Sequence, residues 1–208
     1  MEKLVKIALE AGAKNAHVLK VSEIPFDPHL RKLCEDNLCG KFGRNYGCPP
    51  FVGTPEEVIA KAKTYENALV MQTVSELEDS YDVEGMAEAG ARHNAMSKEV
   101  AERMKGEYPE SIVLTAGGCT ICERCAALDK EPCRFPEKVT PSLSSFCINV
   151  AQTAGKCGMK YINGVDTVTY FSVVLFYIII KPNIPSGRGI LTGCLALWIT
   201  ASDRMPCR

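Results

Sequence analysis

"DTVTYFSVVLFYIII", residues 166–180, is a strongly β-forming run rich in Val, Tyr, Phe and Ile. Such side chains pack well on a pleated, half-buried surface. Working back from it, three shorter runs read as strands. "AHVLKVSEI" (16–24) alternates apolar and polar residues, "NALVMQTV" (67–74) follows a helical stretch, and "SIVLTAGG" (111–118) runs straight into a cysteine cluster. Helical patterns lie between them. Residues 2–12 place Leu4, Ile7 and Ala8 on one face. Thr54 reads as an N-cap with Pro55 at the first helical position and Glu57 at the capping-box position, which predicts a helix over 55–65. In 82–106, Met86, Ala89, His93, Met96, Val100 and Met104 recur at three- and four-residue spacing until Gly106 and Pro109 stop the helix. Pro141 and Ser142 open a further helix to about Thr153. Strands alternating with helices predict an α/β fold: a mixed sheet of about four strands, flanking helices and two cysteine-rich metal loops.

The chain of 208 residues fits one domain with an appendage: a cysteine-rich α/β domain over 1–180 and an appended, poorly ordered tail over 181–208, beginning at the Lys181-Pro182 break. The apolar runs at 171–180 and roughly 190–201 are too short to span a bilayer. With 24 basic and 25 acidic side chains there is no basic stripe for nucleic acid and no acidic tail. Neither a Walker A run nor G-x-G-x-x-G occurs, and histidines at 17, 29 and 93 make no Ser-His-Asp arrangement. His93, on the apolar stripe of the long helix, reads as a core histidine.

Eleven cysteines are the compositional outlier. The N-terminus lacks the continuous apolar core of a signal peptide, which predicts a cytoplasmic protein. There thiols stay reduced, so clustered cysteines point to metal or redox chemistry rather than to a disulfide framework. "GGCTICERCAALDKEPCRFP" (117–136) carries Cys119-x2-Cys122-x2-Cys125 and then Cys133. Tetrahedral zinc usually takes two separated C-x2-C pairs. Three thiolates at successive x2 spacing instead suit a cluster of several irons, each needing its own thiolate. The expected cofactor is therefore an iron–sulfur cluster of the 4Fe–4S type on Cys119, Cys122, Cys125 and Cys133, with zinc or free redox-active thiols as alternatives. Arg124 and Arg134 are candidates to donate hydrogen bonds to its sulfides. A looser set, Cys34-x4-Cys39-x8-Cys48, precedes Pro49-Pro50 in a glycine-rich loop and predicts a second metal centre close to the first. Cys147, Cys157 and His29 are candidates for its fourth ligand; buried apolar cysteines are the alternative. Arg31, Lys32, Lys41 and Arg44 surround that loop, able to hold a reduced cluster's charge or to steer an acidic partner.

"LCEDNLCGKFGRNYGCPPF" followed by "GGCTICERCAALDKEPCRFPEKVTPSLSSFCINV" resembles an uncharacterised family of predicted metal-binding proteins, common in anaerobic bacteria and methanogenic archaea. The resemblance covers about residues 1–178: C…C…CPP, a glycine-led C-x2-C-x2-C, C-R-x-P, P-S and a G-I-[DN]-V turn. Cys147 stands where that turn has its glycine, which argues against its being a ligand. The resemblance implies metal binding and strengthens the iron–sulfur expectation without supplying a reaction.

The expected function is electron transfer or redox chemistry with a partner protein. Two rivals come from other classes: an enzyme whose Cys34, Cys39 and Cys48 leave one iron open to a small substrate, and a zinc-stabilised interaction module.

Overall fold

The computed structural model describes residues 1–178, so the tail expected over 181–208 lies outside the described residues. Four strands, β1 (Asn15–Lys20), β2 (Asn67–Glu76), β3 (Ile112–Leu114) and β4 (Thr167–Phe176), form one sheet in the order β1-β2-β4-β3. The α/β class and the four strands are those the sequence predicts. All three ladders are antiparallel, and parallel geometry appears only as an isolated bridge between Thr115 and Ser142.

Strand alternation divides the core into two layers. On one face Leu69, Met71, Val174 and Phe176 pack against helix α1 (Glu2–Glu10) through Leu4 and Ala8, and against helix α4 (Val83–Met104) through Met96, Val100 and Met104. On the other, Ala68, Val70, Val173 and Leu175 meet Val58 and Ala62 of helix α3 (Pro55–Lys63), Phe146, and Ala154 of helix α5 (Val150–Lys156). A short helix, α2 (Arg31–Glu35), carries Cys34. The centre of β2 has no solvent-facing side, which is why "ALVM" is continuous apolar sequence rather than an alternation.

The boundaries follow local chemistry. Thr54 Oγ1 accepts from Glu57 N (3.3 Å) and Glu57 Oε2 from Thr54 N (2.8 Å), the predicted capping box. β1 ends at Lys20 rather than residue 24, because Glu23 Oε2 accepts from Lys20 N and folds Val21–Glu23 into a 3-10 turn. The helix expected from Pro141 to Thr153 is split. Ser144–Phe146 is a 3-10 turn, Cys147 sits at φ +56°, and α5 starts only after Asn149 caps Gln152 N at 3.1 Å. A left-handed residue cannot continue a helix. That conformation also suits the glycine for which Cys147 stands in the family pattern.

His93 is buried, as its place on the helical stripe predicts. Its Nδ1 lies 2.8 Å from Thr73 Oγ1, its backbone carbonyl accepts from Ser97 Oγ, and its Nε2 is buried without a hydrogen-bond partner. Burial pushes its pKa down to about 4, with the Phe171 backbone partly opposing. A base whose folded pKa is depressed stabilises the fold fully above its unfolded value of about 6.5, and that contribution is lost as pH falls through this value toward the folded one. Denaturant unfolding should therefore show stability dropping by up to about 3 kcal/mol between pH 6.5 and pH 4 from this residue alone. His93→Gln should start less stable but show a flatter pH slope; an unchanged slope would remove His93 as the cause.

Candidate metal centre

β3 delivers the second cysteine loop and the α2–α3 connection delivers the first; Asn45 ties the two together. Its Nδ2 donates to Cys119 O (2.8 Å), while its Oδ1 accepts from Cys119 N (3.0 Å) and Gly47 N (2.9 Å). A second tie runs from Tyr46 Oη to Glu131 O at 2.7 Å, and a third from Ser142 N to Gly47 O at 3.2 Å. The approach is tight enough to require glycine on both sides. A Cβ on Gly118 would stand 2.9 Å from Cys48 Sγ, and one on Gly47 would stand 2.5 Å from Thr140 O and 2.8 Å from Cys119 N.

This packing brings Cys119, Cys122, Cys125 and Cys133 to the lining of one cavity, walled also by Tyr46, Ile121, Phe135 and Val139. Its free space is only about 20 Å³, so the side chains themselves fill it. Among the described residues no three His, Cys, Asp or Glu side chains converge as ligands of one ion. The donor set nonetheless fits a thiophilic centre: four thiols, with no carboxylate or imidazole on the cavity lining. Each thiol moves by rotation about a single χ1. All nine cysteines among the described residues are free.

The first-loop thiols are neighbours of one another. Burial pushes Cys34 up, Arg31 opposes, and Cys39 and Cys147 add to the rise. Cys48 is pushed up to about 11, first by burial and then by Cys39 and Cys34, with Lys41 opposing and Cys119 adding to the rise. Cys34, Cys39 and Cys48 therefore share one electrostatic neighbourhood, bordered by Cys147 on one side and Cys119 on the other. The fourth-ligand candidates separate clearly. Cys147 is fully buried beside Arg31 and near Cys34. Cys157 packs against the core with Glu23 as its charged neighbour, and burial raises it to about 11. His29 is exposed in a 3-10 turn.

Two expectations about the cations change. Arg124 turns to Asp129, with Nε–Oδ2 at 3.1 Å and Nη2–Oδ1 at 2.6 Å, so its guanidinium is committed to a carboxylate rather than to a cluster. Arg134 does line the cavity, and donates to the Arg124 carbonyl. Around the first loop, Lys32 pairs with Asp36 and buried Arg31 donates to Gly53 O (2.7 Å) and Ser145 O (3.0 Å). Lys41 and Arg44 enter no ion pair or side-chain hydrogen bond among the described residues.

A family model described as "Predicted metal-binding protein (DUF2284)" matches residues 17–176, from β1 through the end of β4 and including both cysteine loops. The chain belongs to this family. No curated protein and no solved structure matches it. The family match spans all four strands, beginning within β1. Among the described residues no helix is long and apolar enough to cross a membrane.

Asn45 is the residue that sequence reasoning missed. Its three partners lie partly 74 positions away, and no local period marks it. Asn45→Ala should cost about 1–3 kcal/mol by orphaning the buried Gly47 N–H and the half-buried Cys119 peptide groups. It should also lower the metal bound per chain. Thermal unfolding and metal analysis of the purified variant check both; an unchanged melting temperature would show that the loops do not depend on this clamp.

Proposed function

We propose that this protein holds a 4Fe–4S cluster on Cys119, Cys122, Cys125 and Cys133, with a second metal centre on Cys34, Cys39 and Cys48, and serves electron transfer to a partner protein in a reducing cytoplasm. The observation that carries the reading is the single cavity lined by all four thiols and by no other metal-binding side chain. The C-x2-C-x2-C spacing supports it further. A bound cluster would supply one-electron redox chemistry and would be tuned by burial and hydrogen bonding.

The chain's own contribution is enclosure and position. Tyr46, Ile121, Phe135 and Val139 wall one side of the thiols, and Tyr46 is itself braced by Phe51 at 4.6 Å between ring centroids. Gly117, at φ +81°, turns the chain out of the strand so that the following residues wrap back over the first loop. The Asn45 clamp fixes the two loops at one separation, which supports two centres lying close together. Leu33 beside Cys34 and Leu38 beside Cys39 are 63% and 93% exposed and available to a transient partner.

Anaerobically purified protein should be brown and carry about four irons and four sulfides per cluster site. A colourless protein with stoichiometric zinc after anaerobic reconstitution would sink the iron–sulfur reading in favour of a zinc-stabilised module.

Replacing Cys34, Cys39 and Cys48 together with Ser should remove about half the iron while leaving the Cys119–Cys133 site loaded. Retention of all the iron would show that those three thiols hold no metal. If iron falls and the remaining reduced centre's EPR spectrum is unchanged, the two sites are independent.

A further inference from the structure

Cys119, Cys122 and Cys125 line a second space besides the enclosed cavity: an open groove of about 490 Å³ between the two loops. Lys41 and Arg44 line it from the first loop, and Glu123 from the second. That volume falls in the range of small-molecule sites. The charges around it are unspent. Of the four cations near the first loop, Lys32 is neutralised by Asp36 and Arg31 is buried against carbonyls. The two that remain without a carboxylate partner among the described residues are the two that face the groove. They sit at the two ends of one turn, closed by Arg44 N donating to Lys41 O at 3.1 Å, so both are carried on the same short piece of backbone.

We infer that this groove is a binding site for a small anion with a carboxylate or phosphate end, taken up by Lys41 and Arg44 directly beside the cysteine centre. Arg offers a planar fork matched to a carboxylate or phosphate, and Lys adds a mobile point charge. Glu123, also without an ion-pair partner among the described residues, sets the selectivity. Its carboxylate repels a second negative charge, so a singly charged ligand end is favoured over a polyanion. Binding rests on the loop geometry alone; that the bound anion lies beside a metal centre rests on the function proposed above.

The test is calorimetric titration of the anaerobically purified full chain with acetate and with inorganic phosphate at low salt, with iron and sulfide measured on the same samples. Lys41→Ala and Arg44→Ala should each weaken binding about tenfold at unchanged metal content, the loss of one charge-assisted contact. Glu123→Gln should tighten phosphate several-fold and acetate less, which separates the two ligand chemistries. Lys61→Ala, on α3 and outside the groove, serves as the surface-charge control and should change nothing. Absence of binding to wild-type protein, or binding untouched by either cation variant, overturns the proposal. So does capture of poly-glutamate without binding of either small anion, which would make the groove a docking face for an acidic protein. Anion binding that persists in protein lacking iron and sulfide would leave the groove standing while the cluster assignment falls.

Discussion

The ladder between β2 and β4 is the constraint on which the rest of the structure depends. Its ten registered pairs run from Asn67↔Phe176 to Glu76↔Thr167, and Ala68 to Gln72 opposite Phe171 to Leu175 are buried. A strand pair apolar on both faces cannot rest with either face in water, so it demands a helical layer on each side. α1 and α4 supply one layer and α3 and α5 the other. β1 and β3 are then edge strands, and their job is less to fill the core than to set where loops leave it. β3 is only three residues long, so the chain departs the sheet early and reaches the cysteine loop within five residues.

Rigidity passes from that sheet to the cysteines through few bonds. Asn94 on α4 holds the exit of β3, its Nδ2 donating to Ala116 O (2.7 Å) and its Oδ1 accepting from Ala116 N (3.1 Å). Three residues further on, Asn45 repeats the device at Cys119. Two asparagine carboxamides thus pin the backbone on either side of Gly117 and Gly118. Such a side chain carries a donor and an acceptor at fixed separation and can saturate both groups of one peptide. A loop held this way keeps its thiols in place through backbone order, without relying on the metal to organise it.

Legibility in the sequence tracks the range of the interaction. α3 is announced by Thr54, Pro55 and Glu57 because its cap is local, and α4 by its stripe, His93 included. The sheet's membership is readable from β-branched runs, but the antiparallel sense of its pairings is not, since direction depends on how the connections cross. The break at Cys147 was visible only as a cysteine standing at a glycine position; composition around it favours a continuous helix. The spacing of Cys119, Cys122 and Cys125 identifies the loop, whereas the neighbourhood of Cys34, Cys39 and Cys48 depends on contacts over long sequence separation. Charge was least legible of all. Four cations look equivalent in the sequence, and only packing distinguishes the paired Lys32 and buried Arg31 from Lys41 and Arg44.

The two spaces bordering the cysteine loop impose opposite conditions on the same thiols. The cavity has largely aromatic and aliphatic walls, with Arg134 at its edge, and almost no free volume. The groove is open, polar and carries two cations, so charge facing it is screened and compensated. In the neighbouring first loop, burial and nearby sulfur push the Cys48 thiol up to about 11. A multivalent cation held by several thiolates would answer their charge at once and release their protons as it binds. Lys41 and Arg44 are placed to compensate negative charge left on the outer side. Cys119, Cys122 and Cys125 thus stand between a largely aromatic and aliphatic wall and a polar groove that carries Lys41 and Arg44, so a metal held by these thiolates would be reachable from the groove.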